Sequence, residues 1–167
     1  MTGQRALGSV GRGLLAGMAG TAAMTLAQEA VSWARNRRSS IAGSLREPRT
    51  WADAPPPAQV ARRAANVVGY RVTKRQVPVL GNAVHLGYGI ALGGLYGLAQ
   101  ERLRLHPLTH GAIFGTAVWG LQYAALPALE IYEPIWRYPP GTLAVDLSYH
   151  LAYGLGVAGA HAALDTG

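Results

Sequence analysis

Two apolar segments of this 167-residue chain carry nearly the same phrase, 65 residues apart. The first reads His85-Leu-Gly-Tyr-Gly and the second reads His150-Leu-Ala-Tyr-Gly. Each phrase lies inside an apolar run of about the 20 residues that a helix needs to cross a bilayer. The repeat therefore predicts a tandem duplication, in which the two histidines lie at equivalent depths on two helices.

Four apolar runs of similar size predict four transmembrane helices. Their approximate bounds are 7–33, 77–100, 108–132 and 142–164. Glycines recur at four-residue spacing in these runs, as in Gly89, Gly93 and Gly97, and membrane helices use such small residues to approach closely. We expect a single all-α membrane domain, a four-helix bundle built from two helix pairs of the same orientation. The same glycine grooves also fit a homodimer seam.

The segment 35–76 holds the positive charge, because ten of the 15 Lys and Arg residues lie between Arg35 and Arg75. The positive-inside rule predicts that this loop is cytoplasmic and that both termini lie outside, in a multi-pass protein of the bacterial cytoplasmic membrane. The first apolar run also fits a secretory signal peptide, but the basic cluster directly after it opposes export. Retention of this run as a helix is the better interpretation.

The predicted partners follow from the same distribution of charge. A short interfacial helix over 58–70 would lie along anionic headgroups of the lipid bilayer, and a solvated linker is the alternative. The basic residues flank apolar runs, a pattern that does not indicate a nucleic-acid partner. Assembly as a homodimer or within a larger membrane complex is compatible with the glycine grooves.

Ionisable residues inside the apolar runs are the candidate site. They are Glu29, His85, Glu130, Asp146 and His150. Asp146 lies one helical turn before His150, so its carboxylate is expected to orient that imidazole. Three interpretations remain open: structural hydrogen bonding between helices, axial haem ligation by His85 and His150, or a proton or metal site formed by all five residues.

The chain lacks the usual signatures of an enzyme. It contains no cysteine, which excludes disulfides, thiolate metal sites and cysteine nucleophiles. No Gly-x-Ser-x-Gly, phosphate-binding Gly-Lys loop or His-Glu-x-x-His motif is present. We expect a non-enzymatic membrane component or accessory subunit, with a small haem- or metal-binding redox or ion-transport subunit as the alternative.

Several short phrases together resemble the YagU-like family of small bacterial inner-membrane proteins. They begin with His85-Leu-Gly-Tyr-Gly and Gly93-Gly-Leu-Tyr-Gly, and continue with Gly115-Thr-Ala-Val-Trp-Gly, Leu126-Pro-Ala-Leu, Pro134-Ile-Trp and His150-Leu-Ala-Tyr-Gly. The similarity extends from about residue 55 onward. It implies a small integral membrane protein and carries no biochemical activity with it.

Overall fold

All regular structure in the described chain is helical. A computed structural model describes residues 3–35, 46–103 and 106–165. The α-helices in these ranges are α1 (Gly3–Ala34), α2 (Pro56–Val67), α3 (Val77–Leu103), α4 (Pro107–Ala128) and α5 (Pro140–Asp165). Two short 3-10 helices, Lys74–Gln76 and Ile135–Arg137, precede α3 and α5.

Proline marks the start of three helices. Pro56, Pro107 and Pro140 are the first residues of α2, α4 and α5. A proline fits the first helical turn because its φ is already helical and its missing N–H would have no partner there. The residue before Pro107, His106, caps α4 by accepting a hydrogen bond from the Leu108 amide over 3.3 Å.

The prediction of four transmembrane helices is wrong. Within the described ranges, no helix combines the length and the apolar content needed to cross a bilayer. The helices α1, α3, α4 and α5 have 22 to 32 residues, so the shortfall lies in apolar content. Glycine, alanine and polar residues dilute the large apolar side chains along each helix, as Thr109, His110, Thr116 and Gln122 do in α4. The predicted location as a multi-pass protein of the bacterial inner membrane is contradicted by the same finding.

Two compact units make up the chain. The first, called the bundle unit below, comprises Met1–Gln28 and Gly89–Gly167. The second, called the basic unit, comprises Glu29–Tyr88 and contains most of the Lys and Arg residues. Residues 36–45 of the predicted basic loop lie outside the described residues.

Glycine brings the helices of the bundle unit into backbone contact. A Cβ atom added to Gly93 of α3 would lie 2.5 Å from the Cα of Gly17 in α1. A Cβ atom on Gly154 of α5 would lie 2.8 Å from the Cα of Gly115 in α4. Helices α1 and α3 are antiparallel, because Gly13 meets Gly93 and the later Gly17 meets the earlier Gly89. Helices α4 and α5 are antiparallel as well, because Gly111 meets Ala158 and the later Gly115 meets the earlier His150. The helical bundle fits the prediction in part, although none of its four helices, as far as they are described, has the apolar content of a membrane span.

The interior of the bundle unit mixes apolar and polar side chains. Its apolar core consists of Ala16, Met24, Tyr96, Val118, Tyr153, Val157 and Ala158. The buried polar residues are Ser9, Thr21, His110, His150 and His161. The hydroxyl of Ser9 donates to the Gly97 carbonyl over 2.8 Å, and that of Tyr153 donates to the Gly89 carbonyl over 2.7 Å. Polar side chains thus connect neighbouring helices where glycine allows close approach.

The basic unit has a small core of its own. Ala54, Ala58 and Val77 are buried together, with Trp51 packed against them. Helix α2 ends at Val67, before the end of the interfacial helix predicted for 58–70. The reason is Gly69, whose φ of +77° reverses the chain and terminates the helix.

The predicted third span, 108–132, also runs past the helix that it contains. Helix α4 ends at Ala128, and the Glu130 amide donates to the Pro127 carbonyl over 2.9 Å. The Ile131 amide donates to the Leu126 carbonyl over 3.1 Å. These two bonds close the helix in a turn that places Glu130 at φ +51°.

Candidate functional site

His150 lies in the interior of the bundle unit, with 5% of its surface exposed. Its Nδ1 atom lies 2.8 Å from the backbone oxygen of Asp146 in the preceding turn of α5. A carbonyl oxygen only accepts hydrogen bonds, so Nδ1 carries a proton, and in the neutral ring Nε2 is the acceptor. The Asp146 carboxylate, which was expected to orient the ring, lies 3.9 Å from Nδ1. The main chain of Asp146 therefore fixes the tautomer of His150.

The carboxylate of Asp146 faces α4. Gln122 Nε2 donates to Asp146 Oδ2 over 2.6 Å. Burial raises the pKa of Tyr123, and the charge of Asp146 and a hydrogen bond with it raise this pKa further. Burial and the charge of Asp146 also raise the pKa of Tyr132. Both phenols therefore remain protonated to a higher pH than an ordinary tyrosine.

A three-tyrosine cluster closes this end of α4. The ring centroids of Tyr123, Tyr132 and Tyr138 are separated by 5.3 to 6.1 Å. The Tyr138 hydroxyl accepts a hydrogen bond from the Glu133 amide over 3.1 Å, which attaches the turn after α4 to the cluster. Rings this close fill the space between them, so the cluster is a packed aromatic group and not an open cage.

A second polar centre surrounds Tyr96, which is 1% exposed. His110 and His161, each 3% exposed, contact its ring at centroid distances of 4.6 and 5.6 Å. His110 Nδ1 is hydrogen-bonded to Gln100 Oε1. Burial raises the pKa of Tyr96 to about 12 and lowers the pKa of His110. Both shifts favour the neutral side chains, so this centre resists ionisation.

The predicted site residues are divided between the two units. Glu29 and His85 belong to the basic unit, where both are half-buried. Glu130, Asp146 and His150 belong to the bundle unit, and the structure brings Asp146 and His150 together. In the described part of the chain, no group of three or more His, Asp or Glu side chains is arranged to hold a metal ion. Haem ligation by His85 and His150, and the five-residue metal or proton site, stay predictions.

Sequence reasoning missed the partners of these centres. Gln122 and Tyr123 lie on α4, a different helix from Asp146, and no motif links them to it. The 65-residue offset between the phrases relates Tyr96 to His161, since each lies 11 positions after the histidine of its phrase. His110 lies outside the repeated phrases. Its one sequence signal is its place directly before Gly111, a residue of the closely packed α4–α5 pair.

The basic unit presents a surface of exposed cations. Arg46, Arg49, Arg63, Arg71 and Arg75 are all exposed. The guanidinium of Arg62 lies 4.4 Å from the centroid of the Trp51 ring, and Lys74 Nζ donates to the Arg49 carbonyl. Hydrogen bonds from Thr50 lower the pKa of Asp53, so that carboxyl group is engaged locally. Positive charge therefore dominates this surface.

Comparison with protein-family models, with curated proteins and with solved structures finds no match to this chain. Membership of the YagU-like family therefore stays a prediction from the motifs quoted above. The candidate function is therefore argued from the residues of the chain itself. Two features are candidates for it: the buried polar centres of the bundle unit and the cationic surface of the basic unit. The second is accessible, and the first is buried.

Proposed function

We propose that this chain is a non-enzymatic binding protein whose basic unit attaches to anionic phospholipid headgroups. The observation that carries the proposal is the confinement of net charge. Residues 29–88 contain ten Lys and Arg against three Asp and Glu, a net charge of +7. The remainder of the chain contains five of each sign, a net charge of zero. The net positive charge of the protein therefore arises from the basic unit.

The placement of the basic side chains supports an anionic surface as the partner. Arg63, Arg71 and Arg75 are exposed, which is the condition for contact with a charged plane. Each Lys or Arg near an anionic lipid surface contributes about 1 kcal/mol, and the attraction decays within a Debye length. Several such residues on one compact unit give measurable binding without a spanning helix.

Exposed apolar residues within the same unit favour phospholipid over nucleic acid. Val67 and Val68 are 87% and 79% exposed, and Tyr70 is 53% exposed. A phosphate backbone offers charge but little apolar contact, whereas a phospholipid surface offers both. The combination of exposed arginine and exposed valine within one unit therefore indicates phospholipid headgroups.

Flotation with vesicles tests the proposal. The full chain should float with vesicles of phosphatidylcholine and phosphatidylglycerol, and not with phosphatidylcholine alone. The bound fraction should fall as salt is raised. Equal recovery with both kinds of vesicle would overturn the proposal. So would binding to duplex DNA by a protein that floats with neither kind.

A matched pair of variants locates the binding charge. Arg71→Gln combined with Arg75→Gln removes two exposed cations of the basic unit and should weaken binding by about 25-fold, at about 1 kcal/mol for each. Arg137→Gln is the control, because Arg137 is exposed in the bundle unit and pairs with Glu133 at 2.7 Å. Equal loss from both variants would show that the basic unit is not the binding surface.

A further inference from the structure

The turn that follows α2 exposes apolar side chains in the most basic part of the molecule. Val67 and Val68 have 87% and 79% of their surface exposed, and Tyr70 has 53%. Arg71 follows directly and is exposed as well. We infer that this segment, Val67–Arg71, is an insertion tip that enters an anionic phospholipid surface below the headgroups. The inference rests on the proposed function and names the part of the basic unit that penetrates the lipid.

Backbone hydrogen bonds hold the insertion tip in one conformation. The Gly69 amide donates to the Asn66 carbonyl over 3.1 Å, and the Tyr70 amide donates to the Ala65 carbonyl over 2.9 Å. Gly69 adopts φ +77°, which a residue with a Cβ atom rarely does. The valines therefore stand outward on a closed turn, without freedom to fold back.

A side-chain hydrogen bond supports the same turn from the chain that follows it. Gln76 Nε2 donates to the Tyr70 hydroxyl over 2.7 Å. Gln76 is itself fixed, because its Oε1 accepts from the Thr73 amide over 2.8 Å in a capping box. The ordering that binding would require is thus already present in the folded protein, which favours binding.

The chemistry of the tip matches the layers of a lipid surface. Transfer of valine side chains from water to the boundary of the acyl chains is favourable in free energy. Tyrosine, with an apolar ring and a polar hydroxyl, is enriched at the interface itself. The guanidinium of Arg71 lies next in the chain and can remain with the anionic headgroups. Charge complementarity therefore selects an anionic phospholipid surface as the occupant.

Labelling at a single site tests insertion directly. The chain has no cysteine, so V68C provides one attachment point for a polarity-sensitive fluorophore. V79C is the control, because Val79 lies in the same unit and is 70% exposed. With vesicles that contain phosphatidylglycerol, the label at position 68 should shift to the blue and the label at position 79 should not.

A second pair of variants measures the contribution of the tip. Val67→Ser with Val68→Ser should weaken binding to these vesicles on the order of tenfold, while the preference for phosphatidylglycerol remains. Val79→Ser should bind as the unaltered chain does. All three residues are exposed, so far-UV circular dichroism should show the same helix content in each variant.

The outcomes separate the inference from the function on which it rests. If the unaltered chain floats with anionic vesicles but the label at position 68 stays in water, the insertion tip is wrong and surface binding stands. If the double serine variant binds as tightly as the unaltered chain, the insertion tip is also wrong. If the unaltered chain ignores anionic vesicles, both the proposed function and the inference are wrong.

Discussion

Tyr96 and His161 occupy equivalent positions of the two repeated segments, and their rings meet inside the bundle unit. The centroids lie 5.6 Å apart and the planes are inclined at 70°. Positions related by the 65-residue offset thus hold a tyrosine and a histidine that pack edge to face. His110 contacts the same tyrosine ring at 4.6 Å, which completes a neutral polar centre.

Acid should destabilise the fold through His110. Burial lowers the pKa of His110 below its ordinary value of about 6.5. Below that pH the unfolded chain binds a proton that the folded chain does not, so stability is present at neutral pH and lost as pH falls. One such proton changes the free energy of unfolding by at most about 1.4 kcal/mol per pH unit.

Urea unfolding at neutral pH and at about pH 5.5 measures this loss. His110→Phe should flatten the pH dependence, because the ring contact with Tyr96 is kept and the titrating group is removed. Since this change leaves Gln100 without its partner, the slope with pH is the readout and not the absolute stability. If the free energy of unfolding of His110→Phe depends on pH as steeply as that of the unaltered chain, His110 is not the group that causes the loss in acid.

Backbone contact between α1 and α3 should make Gly93 intolerant of a side chain. In Gly93→Ala the new Cβ would lie 2.5 Å from the Gly17 Cα, and overpacking of this kind costs about 1–3 kcal/mol. Thermal unfolding measures the difference. Gly87→Ala is the control in the same helix, where nothing lies within 4 Å of an added Cβ, and it should stabilise by up to about 1 kcal/mol. Equal effects of the two changes would contradict the close approach.

Tyr153 and Tyr88 match in sequence but should differ in their contribution to stability. Tyr153 is 3% exposed and donates its hydroxyl to the Gly89 carbonyl over 2.7 Å, whereas Tyr88 is 48% exposed. Tyr153→Phe should cost about 1 kcal/mol through the lost hydrogen bond. Tyr88→Phe should leave the free energy of unfolding nearly unchanged, and urea titration of both variants measures the difference. A larger loss from Tyr88→Phe than from Tyr153→Phe would contradict this prediction.

Glu130 should be replaceable by glycine with a gain in stability. It adopts φ +51° in the turn that ends α4, a conformation that costs a residue with a Cβ atom about 1 kcal/mol. Glu130→Gly should therefore raise the free energy of unfolding, although glycine also loosens the unfolded chain and reduces the gain. Leu129→Gly, at the preceding helical C-cap, should lower it. Stabilisation by both changes would show that the turn is not strained at Glu130.

The repeated phrases and their glycines predicted close contact between helices. The apolar runs predicted membrane spans, and that prediction is wrong. Gly89 and Gly93 meet α1 because small residues at four-residue spacing form a groove on any helix, in lipid or outside it. The same spacing says nothing about the medium. Within the described residues, dilution by Gly, Ala, Thr and His leaves each helix below the apolar content that a membrane span needs.

The candidate sites show a similar division. Asp146 and His150 lie one helical turn apart, so their proximity follows from local geometry alone. Which part of Asp146 binds the imidazole depends on Gln122, which draws the carboxylate toward α4 and leaves the backbone oxygen to His150. The contact between Gln122 and Asp146 joins two helices, and no spacing in the sequence indicates it.

The sequence by itself determined helical structure, close packing through glycine and the concentration of ten of the 15 basic residues between Arg35 and Arg75, since all three depend on residue type and local spacing. Only the tertiary structure decided that His110, His161 and Tyr96 share one buried centre, and that Val67 and Val68 remain exposed on a closed turn. The burial of a side chain depends on neighbours that are distant in sequence. For that reason it could not be predicted from local sequence patterns.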